Sequence, residues 1–244
     1  GKVLSVSLGY IETGLSFMGS YTVDEVSVDG VPEQLTIFAK AADMRESFKS
    51  QKTRHFDNKT IGDIVGKIAG ENGLAPMVSA SLASKKIAYL AQTEESSMNL
   101  LTRLAKQYDA VAKPAAGKLL FVKRGEAKSA SGKAMGAISL HRTDLLKWSA
   151  RIKDRAKYKS VKASWHDKDK AEGKIEEAGS GDPAYRIRHN YPDKDQAKDA
   201  AEAKKKELER GERSLSCETM GKPQIGAEME LTVSGVRDGV NGSW

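Results

Sequence analysis

The stretch Ser20-Tyr21-Thr22-Val23, Glu25-Val26-Ser27-Val28, Asp29-Gly30-Val31-Pro32, Gln34-Leu35-Thr36-Ile37-Phe38-Ala39 decides how this chain is read. β-Branched and aromatic residues fill both arms around Asp-Gly, which is the pattern of a hairpin. Asp-Gly tolerates the positive φ of a tight reversal, and Pro32 cannot donate to a central ladder, so the turn is better fixed than the register. Few other strands stand nearby to finish a sheet, which predicts that part of this domain lies upstream of Gly1.

Downstream the period changes. Ile61, Ile64, Val65, Ile68 and Ala69 fall at helical spacing, with Thr60 as cap, Asp63 in the first turn and Asn72-Gly73 as the stop. A second helix is predicted from about Thr93–Ser97, carrying Met98, Leu101, Leu104, Ala105 and Tyr108 on one face and ending before Pro114. With a hairpin around 114–117 leading into Leu119–Lys123, residues 57–124 read as a small α+β subdomain, preceded by a connector over 44–56. Residues 125–136, rich in Gly, Ala, Ser and Lys, read as a linker.

Strands return over 137–244, with candidates at 138–141, 148–153, 160–165, 185–189, 213–218 and 229–236. One helix over 194–210 interrupts them, capped by Asp193 and ended by Gly211. Its shallow face of Ala197, Ala200, Ala201, Lys204 and Leu208 should lie on the outside of a sheet. The polar segment 166–182 reads as a mobile loop. The fold class is therefore α+β and mainly β.

Composition narrows the function. The 244 residues suit one large domain or two small ones, and a net charge of +7 keeps the chain soluble without making it a polycation. No run approaches the roughly 18 apolar residues of a membrane span, and the first residues lack the hydrophobic region of a secretory signal. Cys217 is the single cysteine, so neither an internal disulfide nor a multi-thiolate metal site can form. A phosphate-binding loop fails on spacing, because six residues separate Gly125 from Gly132-Lys133 where four are needed, and Ala134 replaces the metal-binding hydroxyl. There is no G-x-S-x-G elbow or H-E-x-x-H helix, and His55, His141, His166 and His189 fall in different elements. Neither catalysis nor a cofactor is expected.

The strongest local bias is Lys147–Lys162, which holds seven basic residues and one acidic. As a single strand it would place Arg151, Lys153, Arg155, Lys157 and Lys159 on one face, suited to phosphate or to an acidic protein surface. A turn near Asp154 would instead scatter them over solvent. The helix 194–210 mixes Lys204-Lys205-Lys206 with Glu202, Glu207 and Glu209, as an exposed salt-bridged surface does.

Several runs carry a resemblance. Tyr21-Thr22-Val23-Asp24-Glu25, Gln34-Leu35-Thr36-Ile37 with Ala41-Ala42-Asp43, and Thr60 through Val65 up to Leu74-Ala75-Pro76 resemble the late control D proteins of contractile-tailed phages. So do Gln92–Ser96, Leu100–Ala105, Gly117–Phe121, Val161–Trp165 and His189-Asn190-Tyr191, in the same order. The resemblance implies a structural baseplate hub, similar to the T-even phage hub and to the N-terminal part of VgrG spikes. Such a protein would form a homotrimer with two related β-barrels per subunit, a pseudo-sixfold adapter between tail tube and central spike. It would meet spike, tube and other baseplate proteins, with tape measure and genome passing its lumen, in a virion tail assembled in the bacterial cytoplasm. On that plan 1–43 would close the end of a first, incomplete barrel, 57–124 would decorate it, and 137–244 would form most of a second, cut short at its C-terminal end. Arg151, Lys153, Lys157 and Lys159 become a candidate lumen or interface row. Two other readings stand beside it. One is a hub that binds peptidoglycan through 57–124, whose helix-plus-hairpin content loosely resembles LysM modules. The other is a basic nucleic-acid-binding regulator.

Overall fold

The computed structural model describes residues 2–41, 48–115, 117–125, 136–153, 157–167, 170–226 and 229–244. The first sheet is antiparallel with order β1-β2-β3: β1 (Val3–Tyr10), β2 (Gly14–Asp29) and β3 (Gln34–Ala41). The expected hairpin is β2-β3, with Asp29 opposite Gln34 across the Asp-Gly turn. It gains β1, which the sequence reading did not place. Serines alternate with Leu4, Val6 and Leu8 there, a period-two pattern made faint by its small polar partners.

The second unit has a core of its own. β4 (Gln51–Thr60) leads directly into α1 (Ile61–Glu71), followed by β5 (Ala75–Val78), a one-turn α2 (Ala80–Ala83), β6 (Lys86–Ser96), α3 (Ser97–Gln107), β7 (Ala110–Ala115) and β8 (Lys118–Lys123). β4 pairs with β6, and β5-β8-β7 form a second sheet. α1 begins as its sequence demands. The Thr60 hydroxyl accepts from the Asp63 N–H at 3.1 Å, and the Asp63 carboxylate accepts from the Thr60 N–H at 3.0 Å. Ile61, Ile64, Val65 and Ile68 are fully buried with Leu100, Leu101 and Phe121 in one cluster that also takes in Phe48 and Phe56. The segment expected as a connector over 44–56 therefore carries β4 from Gln51 onward, and its Phe48 and Phe56 join this core. Most of the expected linker, 126–135, lies outside the described residues, as does the rejected phosphate-loop motif within it.

The remaining chain holds β9 (Ile138–His141), β10 (Leu145–Ile152), β11 (Ser160–Asp167), β12 (Glu172–Gly179), β13 (Ala184–Tyr191), α4 (Lys194–Glu212), β14 (Arg213–Thr219), β15 (Leu231–Ser234) and the short β16 (Gly242–Ser243). They form three sheets, β10-β14, β12-β11-β13 and β16-β15-β9, and no closed sheet among the described residues. Two expectations change. The polar segment 166–182 is not a loop throughout but supplies β12, an edge strand paired with β11. Trp165 donates to Glu176 at 3.1 Å, and Lys174 meets Asp167 at 2.6 Å. Partner strands and ion pairs stabilise a strand whose own composition argues against it. Gly211 does not end α4, which continues to Glu212 and passes straight into β14, since pairing of Arg213 with Ile152 captures the chain in an extended form. The alanine face of α4 packs as expected on a sheet: Ala197, Ala200 and Ala201 cluster with Val161, Ala163 and Tyr191.

Candidate assembly surface

Cross-strand pairing sets the faces of the first sheet. Paired residues share a face, so Leu4 lies beside Tyr21, Val23 beside Ala39, Val26 beside Ile37 and Val28 beside Leu35. Two register shifts, which leave Met18 and Asp24 as extra residues of β2, keep these apolar residues together with Val6, Leu8 and Tyr10 on one side. The opposite side carries mostly Ser, Thr, Gln and charged residues, with Val3, Leu15, Phe17 and Phe38 among them. Among the described residues, none of β1–β3 belongs to any of the three buried clusters. Val28 is 72% exposed, Leu35 61% and Leu8 57%. Exposed apolar faces of this extent are uncommon on monomers and typical of interaction surfaces, and full burial of each Val, Leu or Ile stabilises by roughly 1.5–3 kcal/mol. Sequence reading found half of this surface, the β2-β3 hairpin. The β1 alternation was the signal for the rest.

A second feature joins the α+β unit to α4. Lys85 places its ammonium 2.8 Å from both carboxylate oxygens of Asp199, and Arg210 grips Asp109 with two hydrogen bonds of 3.1 and 2.5 Å. Between them Gln107 donates to Gln196 at 3.3 Å. Asp109 is almost fully buried, at 6% side-chain exposure, so its bidentate partner offsets a large desolvation cost. Nearby, burial and then the Asp199 and Asp193 carboxylates hold the Tyr108 phenol well above its ordinary value.

The predicted charged row is divided between the end of β10 and the approach to β11. Arg151 pairs with Ser214 on β10, and the Lys153 N–H just beyond donates to the Glu212 carbonyl at 2.8 Å. Lys157 and Lys159 precede β11, where the Lys159 N–H donates to the Pro183 carbonyl at 2.9 Å. All four are exposed, but β10 and β11 belong to different sheets, so the single strand that would align them is absent; Arg155 lies outside the described residues.

Cys217 sits on β14 opposite Trp148, and burial pushes its thiol up, away from the reactive thiolate. The histidines stay apart. His55 stacks near Tyr89 on the β4-β6 ribbon, His141 caps a turn with its Nδ1 3.0 Å from Thr143, His166 lies on β11, and His189 meets Tyr191 edge-on. Among the described residues no group of His, Cys, Asp and Glu could hold a metal ion, and no helix is long and apolar enough to cross a membrane.

Residues 18–244 match the family described as phage tail baseplate hub (GPD). The chain is 33% identical to the probable baseplate hub protein of Escherichia phage P2, in an alignment covering 97% of this chain and 72% of that protein. It is 39% identical to the probable baseplate hub protein of Escherichia phage 186 over 69% of this chain, which spans under half, 44%, of that relative. Among solved structures, the 43 kDa tail protein of prophage MuSo2 from Shewanella oneidensis shares the fold with a TM-score of 0.67 at 14% identity, covering 99% of this chain and 81% of that one.

Proposed function

The chain belongs to the phage tail baseplate hub family, and from that premise we propose that it is a structural, non-enzymatic adapter of a contractile tail. Three copies form a ring, with two barrel domains per subunit turning threefold spike contacts into a sixfold platform for the tube. β1–β3 contribute to one barrel and β9–β16 to the other. The observation that carries this reading is the uncovered apolar face of β1–β3. A single-layer sheet cannot bury its own face, so it needs strands or a second sheet from elsewhere in an assembly. In the ring, the exposed Arg151, Lys153, Lys157 and Lys159 face the lumen or an acidic neighbouring subunit.

Light scattering tests the ring directly. The chain, alone and mixed with the spike protein of its own tail, is expected to reach the mass of a trimer in at least one condition. Val28→Asp with Leu35→Asp should return it to a monomer. A persistent monomer that ignores the spike overturns the adapter reading. Charge reversal at Arg151, Lys153, Lys157 and Lys159 is expected to block tail assembly; intact infectivity after reversal would remove their role.

A further inference from the structure

A cleft of about 330 Å³ opens between α3, α4 and β13, and no residue of β1–β3 or of the charged row lines it. Its floor is the α4-facing side of β13, where Tyr185 and Tyr191 lie. Its walls carry Arg103 and Lys106 from α3 and Lys204 and Glu207 from α4. Tyr185, Ile187, His189 and Tyr191 alternate along β13 and so share the face that lines the cleft. The pairing with β11 is irregular there: between the pairs Lys162–Arg186 and Ser164–Asn190, the single residue Ala163 faces three, Ile187 to His189. The Lys85–Asp199, Arg210–Asp109 and Gln107–Gln196 contacts fix α4 against the α+β unit, so the two walls are held apart before anything binds.

The charges in the cleft are unequally satisfied. Arg103 is engaged by Glu95 and the Ala91 carbonyl, and Lys204 by Glu207 at 3.1 Å. Lys106 is exposed and has no ion-pair partner among the described residues. One cation is therefore left for an incoming anion, beside apolar surface from Ile187 and the tyrosine rings. A stacked nucleic-acid base fits poorly. Lys204 already lies over the Tyr185 ring at 5.2 Å, Tyr158 meets that ring edge-on, and Tyr191 is 9% exposed, so no open aromatic platform is offered. The volume stands at the small end of the roughly 300–1,000 Å³ typical of ligand sites, which suits a short segment and not a folded surface.

We infer that this cleft docks a short acidic peptide segment of a partner protein, one carboxylate meeting Lys106 while a neighbouring apolar side chain packs on Ile187 and the tyrosines. The inference stands apart from the ring: light scattering reads the ring and a peptide titration reads the cleft, so either can fail alone. The test uses the full chain and a capped, fluorescein-labelled peptide of alternating glutamate and leucine, followed by fluorescence anisotropy at low and high salt. The peptide should bind, more weakly at high salt, and Lys106→Glu should weaken it by about tenfold or more. Lys170→Glu, a charge reversal outside the cleft, should leave binding unchanged, and circular dichroism should show both variants folded. Hydrogen exchange should place protection on 103–107 and 184–191. The proposal is overturned if the acidic peptide does not bind, if a lysine–leucine peptide binds equally well, if Lys106→Glu and Lys170→Glu behave alike, or if a short oligothymidine displaces the peptide.

Discussion

Residues 3–41 and 48–123 are built from similar strands and end in opposite states. In the second region α1 and α3 lie over the sheets, and Ile61, Ile64, Leu100 and Leu101 are fully buried. In the first, Val28, Leu35 and Leu8 stay more than half exposed. What differs is a layer. Amphipathic helices between the strands let the α+β unit cover its own apolar faces, whereas three hairpin-connected strands have nothing in their own segment to fold back upon. Apolar content alone therefore does not tell a unit that covers its own faces from one that leaves them in water.

The comparison breaks most visibly in the buried core. Leu101→Ala should destabilise the α+β unit by about 2–5 kcal/mol, read from the shift of the urea midpoint. A negligible shift would mean that this core does not hold the unit together. A smaller effect belongs to the contact with α4. Asp109→Asn removes half of a bidentate pair, and because Arg210 is nearly half exposed, solvent screens part of the loss. A decrease of about 1–2 kcal/mol is expected, with faster amide exchange along α4. Unchanged exchange would show that the alanine face alone seats the helix.

A third effect appears only in alkali. The Tyr108 pKa is raised in the folded chain, chiefly by burial, so the stabilisation it contributes is complete below the ordinary tyrosine value of about 10 and is lost as pH rises toward the folded value. Tyr108→Phe should flatten that decline in a melting series above neutral pH. A decline of the same slope in the variant would assign it to other groups. The smallest effect on stability sharpens the contrast. Val28→Ser with Leu35→Ser should change the stability of the unassembled chain by no more than about 0.5 kcal/mol, because those side chains are already in water. A loss of several kcal/mol would falsify the reading of this face as uncovered.

Much of the fold was legible wherever one segment carried its own signal. Thr60 and Asp63 announced the start of α1, the Asp-Gly turn announced β2-β3, and β9 appears with the bounds its apolar run suggested. β4 and β6 were missed because their burial is partly polar. Gln92 is fully buried, accepting from Arg54 at 2.8 Å and donating to the Glu95 carbonyl at 2.7 Å, and Arg54 and Lys52 both reach Glu71. A buried polar network of this kind is assembled largely from residues far apart along the chain, so the local pattern resembles a loop. Of the candidate functional features, the apolar hairpin was visible and the basic run was visible as charge. The cleft was not, since its walls come from three separate elements.

The helices, their caps, the turns and the mainly β character follow from the residues alone, because each rests on periodicity and side-chain chemistry within a few positions. So does membership of the hub family, through many short runs in a fixed order. Tertiary structure decided what those segments face. Only there does β11 pair in parallel with β13 and β9 with β15, does polar β12 become an edge strand, and does α4 bridge to the α+β unit through Asp199 and Arg210. The physical reason is that strand pairing and charge pairing between distant segments depend on chain closure and on the partner's surface, which no local period encodes.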